Sequence, residues 1–124
     1  MFEWVQGNNF AMIITVYPTN ITLNTAAANH FKDYRWCMIG FDFKAKQMAI
    51  KGISKDSIDK GLIPLENLHK ISVGKGYARI SNKTVIQQIA KIVNDESVNK
   101  KYGAYYDDNK DMLIVNLSDS VKGE

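Results

Sequence analysis

Phe41-Asp-Phe-Lys-Ala-Lys-Gln-Met-Ala-Ile-Lys-Gly-Ile-Ser54 and Tyr105-Tyr-Asp-Asp-Asn-Lys-Asp-Met-Leu-Ile-Val-Asn-Leu-Ser118 are the stretches on which the fold turns. Each holds strand-forming residues on either side of a short polar turn, which is the pattern of a β-hairpin. The arms read as Trp36 to Phe43 with Gln47 to Ile53, and as Tyr102 to Tyr106 with Met112 to Leu117. Laid together without gaps at an offset of 64, the stretches share Lys46/Lys110, Met48/Met112, Ile50/Ile114 and Ser54/Ser118. That is four identities in fourteen positions, where average composition gives about one. Met112-Leu-Ile-Val115 and much of Cys37 to Phe43 are apolar at successive positions, so these strands are expected to be covered on both faces.

The same unit precedes each hairpin. Ile21-Thr-Leu-Asn24 is a short strand that runs through a polar cap, Asn24 or Thr25, into the alanine-rich stretch ending near Phe31. Arg79-Ile-Ser-Asn82 does so again, with Ser81 or Asn82 capping a helix whose apolar face is Val85, Ile86, Ile89, Ile92 and Val93. Phe10 to Tyr17 reads as a further strand stopped at Pro18, and Lys70 to Val73 and Tyr77 to Ile80 as strands around Gly74-Lys75-Gly76. Ser54 to Asn67 mixes Lys, Asp, Gly and Pro and reads as a linker. The expected fold is α+β: two strand-helix-hairpin units forming one mainly antiparallel β domain with two helices. It is a single domain over 1–124, with pseudo-repeat halves of about 10–54 and 70–118 joined by 55–69.

A strand that passes through a polar cap into a short helix and then a compact hairpin resembles the AbrB/SpoVT-like swapped-hairpin transcription regulators and antitoxins. Ile21 to Phe31 with Trp36 to Ile53 carry the resemblance, and Ala78 to Val93 with Tyr102 to Leu117 carry it more loosely, giving two tandem copies. It implies a DNA-binding fold. Members of that family carry a Gly-Arg pair before the strand and arginines in the helix. Here Thr19-Asn20 stand before Ile21 and no Arg lies in 24–31, while Lys75, Arg79 and Lys83 accompany the second copy.

Charge points to the same region. The 124 residues carry sixteen Lys and Arg against thirteen Asp and Glu, a net +3 that favours no partner. Residues 1–43 hold two bases and three acids, 44–101 twelve bases and five acids, and 102–124 two bases and five acids. The middle is therefore at +7 between weakly acidic ends. From Asn67 to Asn94 there is no acid at all, while Lys70, Lys75, Arg79, Lys83 and Lys91 occur with His69 and Tyr77 interleaved. Lys and Arg contacts to phosphate supply most non-specific nucleic-acid affinity, so these five are the candidate binding residues. With two Arg in the chain, bidentate reading of guanine rests on few side chains and specificity is expected to be weak. Gly74-Lys75-Gly76 is not a Walker loop, which needs a longer glycine loop followed by Lys and Ser or Thr.

Other chemistries find no support. Cys37 is the only cysteine, excluding an intrachain disulfide, and its neighbours Trp36, Met38 and Ile39 suggest a buried thiol. His30 and His69, thirty-nine positions apart, have no local metal-ligating companion and read as surface or helix-end residues. Asp107-Asp-Asn-Lys-Asp111 begins like a calcium loop, but Met112 replaces the required Gly and Ser118 the required Glu, which leaves a hairpin turn. No nucleophile and base pair or cofactor loop is visible. Met1-Phe2-Glu3-Trp4 lacks the basic start of a secretory signal, and the first apolar run is far short of a membrane span. The expectation is a non-enzymatic cytoplasmic protein without cofactor, metal or small-molecule substrate: a small bacterial or mobile-element DNA-binding regulator. The alternative is a protein-interaction or homodimeric assembly module whose surface includes Trp4, Tyr102, Tyr105 and Tyr106.

Overall fold

The computed structural model describes residues 1–2, 12–93 and 99–121. The strands are β1 (Met12–Val16), β2 (Ile21–Leu23), β3 (Trp36–Asp42), β4 (Gln47–Ile53), β5 (His69–Lys70), β6 (Ser72–Gly74), β7 (Tyr77–Ile80), β8 (Lys100–Asp107) and β9 (Met112–Val121). Among the described residues three α-helices accompany them: α1 (Thr25–Ala28), α2 (Lys55–Asp59) and α3 (Lys83–Ile92). The chain is thus a strand-rich mixed fold with an antiparallel sheet and short helices.

All the strands belong to one sheet, in the order β5-β3-β4-β9-β8-β1-β2-β7-β6. β5 and β6 stand at opposite ends of that order, yet only Ile71 separates them in the chain. The sheet therefore curls until its two edges nearly meet, which removes the long open edges that invite aggregation. Ile71 sits at the seam, buried, with its N–H donating to the carbonyl of Arg35 at 3.0 Å.

Alternation along the strands fills the interior. Ile14 and Val16, Ile21 and Leu23, Met48 and Ile50, Ala78 and Ile80, and Leu113 and Val115 are buried at every second position. α3 turns Val85, Ile86, Ile89 and Ile92 onto this core, as its period requires, and leaves Lys83, Gln87 and Lys91 in solvent. α1 buries Ala27 and Ala28 against β1 and β7 and continues as a single tight turn that buries Phe31. Both expected caps form. The Asn24 side chain accepts from Ala27 N and that of Asn82 from Val85 N, each satisfying an orphan amide of a first turn.

Several expectations need correction. The 54–67 stretch is no plain linker: Ser54 caps α2 by accepting from Ser57 N, Lys60 pairs with Asp56 at 3.0 Å, and Leu65–Asn67 forms a further tight turn. A third helix is therefore present, and it buries no residue, so it leaves no apolar period in the sequence. The hairpins do correspond, but at 65 residues rather than 64. Asp42 faces Gln47 across one turn and Asp107 faces Met112 across the other. In each, the first Asp accepts from the amide three residues on, and the last turn residue, Lys46 or Asp111, has positive φ. Because side chains alternate, a slip of one residue reverses faces, and Met48 and Ile50 match the buried Leu113 and Val115 instead of Met112 and Ile114. Finally, Tyr102 is 2% exposed and belongs to the core, not to a partner surface. Covering on both faces holds for β9, where Leu113, Ile114 and Val115 are all buried, but not for the Cys37 to Phe43 stretch, where Gly40, Asp42 and Phe43 are exposed.

Candidate nucleic-acid interface

The β6 to β7 hairpin is the centre of the basic region. Gly76 takes a positive φ of 77° in its turn, and its carbonyl accepts from Thr25 Oγ1 at 2.7 Å, which anchors the turn to α1. Lys75 projects from that turn. One strand further on, Arg79 lies on the outer face of β7, directly opposite Ser72 of β6 and Thr22 of β2. Its guanidinium carbon is 5.5 Å from the centre of the Tyr77 ring, within cation-π range. Lys70 on β5 lies two residues from Ser72 and so on the same face, where it pairs in register with the exposed Trp36.

Lys83 opens α3 immediately after β7, and Lys91 occupies its last turn, where a cation complements the helix dipole. Eight residues of helix separate them by about 12 Å. All five candidate residues are exposed, and none forms an ion pair with another described residue. The register places Lys75 and Arg79 on the β6 to β7 hairpin, the chain carries Lys83 onward from its end, and Lys70 lies across the seam on β5, paired with β3. Lys91 stands apart at the far end of α3.

The acids of the described residues lie on other segments: Asp33 before β3, Asp42 at its end, Asp56 and Asp59 on α2, Glu66 in the tight turn before β5, Asp107, Asp108 and Asp111 at the β8 to β9 turn, and Asp119 on β9. His69 is half-buried, and burial lowers its pKa below the ordinary histidine value. Its Nδ1 accepts from Asn82 Nδ2 at 3.0 Å, tying the strand before the seam to the cap of α3. His30 is not a bare surface group either, since it stacks on Tyr106 with ring centres 3.9 Å apart and planes 5° from parallel.

Sequence order concealed part of this surface. β2, β1 and β8 continue it, and the register runs Arg79, Thr22, Thr15, Lys101 across four neighbouring strands. Lys101 thereby joins the basic face from outside the acid-free stretch. Tyr17 and Asn20 flank it at the β1 to β2 turn and, with Thr22, Tyr77 and Arg79, line a shallow hollow of about 350 Å³. The polar outward positions of β1 and β2 were the available signal, but which strands would neighbour β7 was not written in local spacing.

The remaining candidates have structural roles. Cys37 is fully buried, and its thiol is pushed up to about 12 by burial, which removes the thiolate that a nucleophile needs. Asp107 Oδ1 accepts from the Asn109 and Lys110 amides and so serves its turn. No group of three metal-ligating side chains occurs among the described residues, and no described helix is long and apolar enough to cross a membrane. Of the aromatics assigned to a partner surface, Tyr105 is exposed, Tyr106 is engaged with His30, and Trp4 lies outside the described residues.

No protein-family model matches this chain. No curated protein and no solved structure is significantly similar to it. The functional reading therefore rests on the residues themselves.

Proposed function

We propose that the chain is a small non-enzymatic DNA-binding regulator of bacterial or mobile-element type, which holds DNA through Lys70, Lys75, Arg79, Lys83 and Lys91. The observation that carries this reading is the exposure of all five cations on elements without a described acid. Cations free of carboxylate partners can neutralise phosphates and release counterions, the main source of non-specific affinity.

The strand order is consistent with a pseudo-symmetric pair of strand-helix-hairpin units. β2 lies beside its counterpart β7, and β4 beside its counterpart β9. At the centre of the second pairing, Ala49 faces Ile114, its own equivalent at the 65-residue offset. Two interlocked copies would give this arrangement, which resembles the swapped-hairpin domains of AbrB/SpoVT-like regulators. In that comparison the basic face belongs to the second copy and its entry strand.

Fluorescence anisotropy with labelled DNA at low salt tests the proposal. Binding is expected, with affinity falling steeply as salt rises. The double variant Lys75→Glu, Arg79→Glu is expected to weaken binding across sequences and to flatten the salt dependence by about two phosphate contacts, a slope change of roughly 1.8 for duplex. Absence of binding to both duplex and single strands overturns it.

A further inference from the structure

We infer that the outer face of β7, β2, β1 and β8 is a platform for single-stranded nucleic acid, with Tyr17 and Tyr77 stacking on unpaired bases and Arg79 and Lys101 holding the backbone. This rests on the reading of the basic region as a nucleic-acid surface and deepens it by naming the strand state.

Tyr17 sits in the turn after β1 and Tyr77 opens β7, yet both line the hollow that also contains Asn20, Thr22 and Arg79. Their exposures are 40% and 41%, so each ring keeps area for a ligand. The Arg79 guanidinium that lies over the Tyr77 ring must swing aside, toward a backbone phosphate, for a base to stack there. Both tyrosines are held in place. Tyr17 N donates to the carbonyl of Asn20 at 2.8 Å, which fixes the turn carrying it. The Tyr77 ring lies across Gly74, where an added Cβ would come within 2.6 Å of it. A ring positioned by glycine loses little freedom when a base stacks on it, and stacking is tolerant of sequence because every base has a π face.

The cations suit a strand laid across the sheet. Arg79 and Lys101 stand three strand intervals apart in one cross-strand row, about 14 Å by ordinary sheet spacing. Thr22 and Thr15 lie between them: the Thr15 hydroxyl can donate to phosphate, while that of Thr22, whose proton goes to Asn20, can accept from a base edge. Asn20 adds amide donors, with its Oδ1 accepting from Thr22 Oγ1 at 3.0 Å. No acid lines the hollow.

A duplex makes poorer use of the same features. Its base faces are occupied by neighbouring base pairs, so two flat tyrosines on a shallow sheet find nothing to stack on. Groove reading needs a helix or ribbon that enters the groove and carries bidentate side chains, and Arg79 is the only arginine on this face.

The test compares the full chain on a labelled twenty-nucleotide thymidine strand and on a matched duplex, by anisotropy over a salt series. Single strand is expected to bind at least tenfold more tightly. Tyr17→Ala and Tyr77→Ala should each weaken single-strand binding by roughly fivefold or more with the salt slope unchanged. Tyr17→Phe and Tyr77→Phe should retain it, and circular dichroism melting of each variant checks the fold. Duplex bound as well as single strand, or alanine variants that melt normally and bind like the parent, overturns the inference while leaving DNA binding in place. Loss of binding to both polymers overturns the DNA reading itself.

Discussion

The β3 to β4 and β8 to β9 hairpins have the same turn length, the same Asp accepting from turn amides, the same positive φ at the last turn residue and matching buried positions. Their turns nevertheless carry opposite charge, Lys44-Ala-Lys46 against Asp108-Asn-Lys-Asp111. Geometry is thus held by spacing and by turn chemistry, while the solvent-facing residues vary freely. The identities between the hairpins lie at an offset of 64, which sets the buried Met48 against the half-buried Met112. Deleting side chains separates the two alignments. Met48→Ala and Leu113→Ala are each expected to cost about 2–5 kcal/mol by urea denaturation, and Met112→Ala about 1 kcal/mol or less. A Met112→Ala loss as large as that of Leu113→Ala would break the 65-residue correspondence.

The helix entries offer a finer contrast. Asn24 Oδ1 accepts from both Ala27 N and Ile13 N, and Asn24 N donates to the Ile13 carbonyl, so one residue caps α1 and fastens it to β1. Asn82 caps α3 in the same way but spends its amide on His69. α1 is four residues long and α3 ten, with four buried apolar side chains. The short helix therefore depends more on its cap, because packing holds the long one. Asn24→Ala is expected to cost about 2 kcal/mol and Asn82→Ala about 1 kcal/mol, measured by thermal or denaturant unfolding. Equal losses would mean that the Ile13 bonds add nothing to the cap.

Elements that bury one face wrote themselves into the sequence. Alternation gave β1, β2, both hairpins and β7, and the three- and four-residue spacing of Val85, Ile86, Ile89 and Ile92 gave α3 with its cap. α2 escaped because it buries nothing, so its only trace is Ser54 with Asp56 and Lys60. The closure through Ile71 escaped because it is a property of strand order, and one buried isoleucine between two short polar strands has no period. The candidate site divides in the same way. Lys70, Lys75, Arg79 and Lys83 are near neighbours in sequence and could be read as a run. Tyr17, Asn20, Thr22 and Lys101 reach the same face only because β2 pairs with β7 and β1 with β8.

The smallest expected effect follows from what the two caps are tied to. The α1 cap is bonded to a backbone amide, which does not titrate in the physiological range, whereas the α3 cap is bonded to an imidazole. Burial lowers the pKa of His69 in the folded chain below its ordinary value of 6.5. As pH falls through that value, the unfolded chain takes up a proton before the folded one does, and stability must decline. The decline ends once the folded state is protonated too, and above about pH 7 the group has no influence. Protonation also fills Nδ1, which then can no longer accept from Asn82. The melting temperature is therefore expected to drop modestly between pH 7 and pH 5.5. His69→Gln should show a shallower drop over the same range, since an amide cannot gain the proton. Parallel pH profiles for the parent and His69→Gln would show that the imidazole does not couple the α3 cap to pH, leaving the two caps alike in this respect.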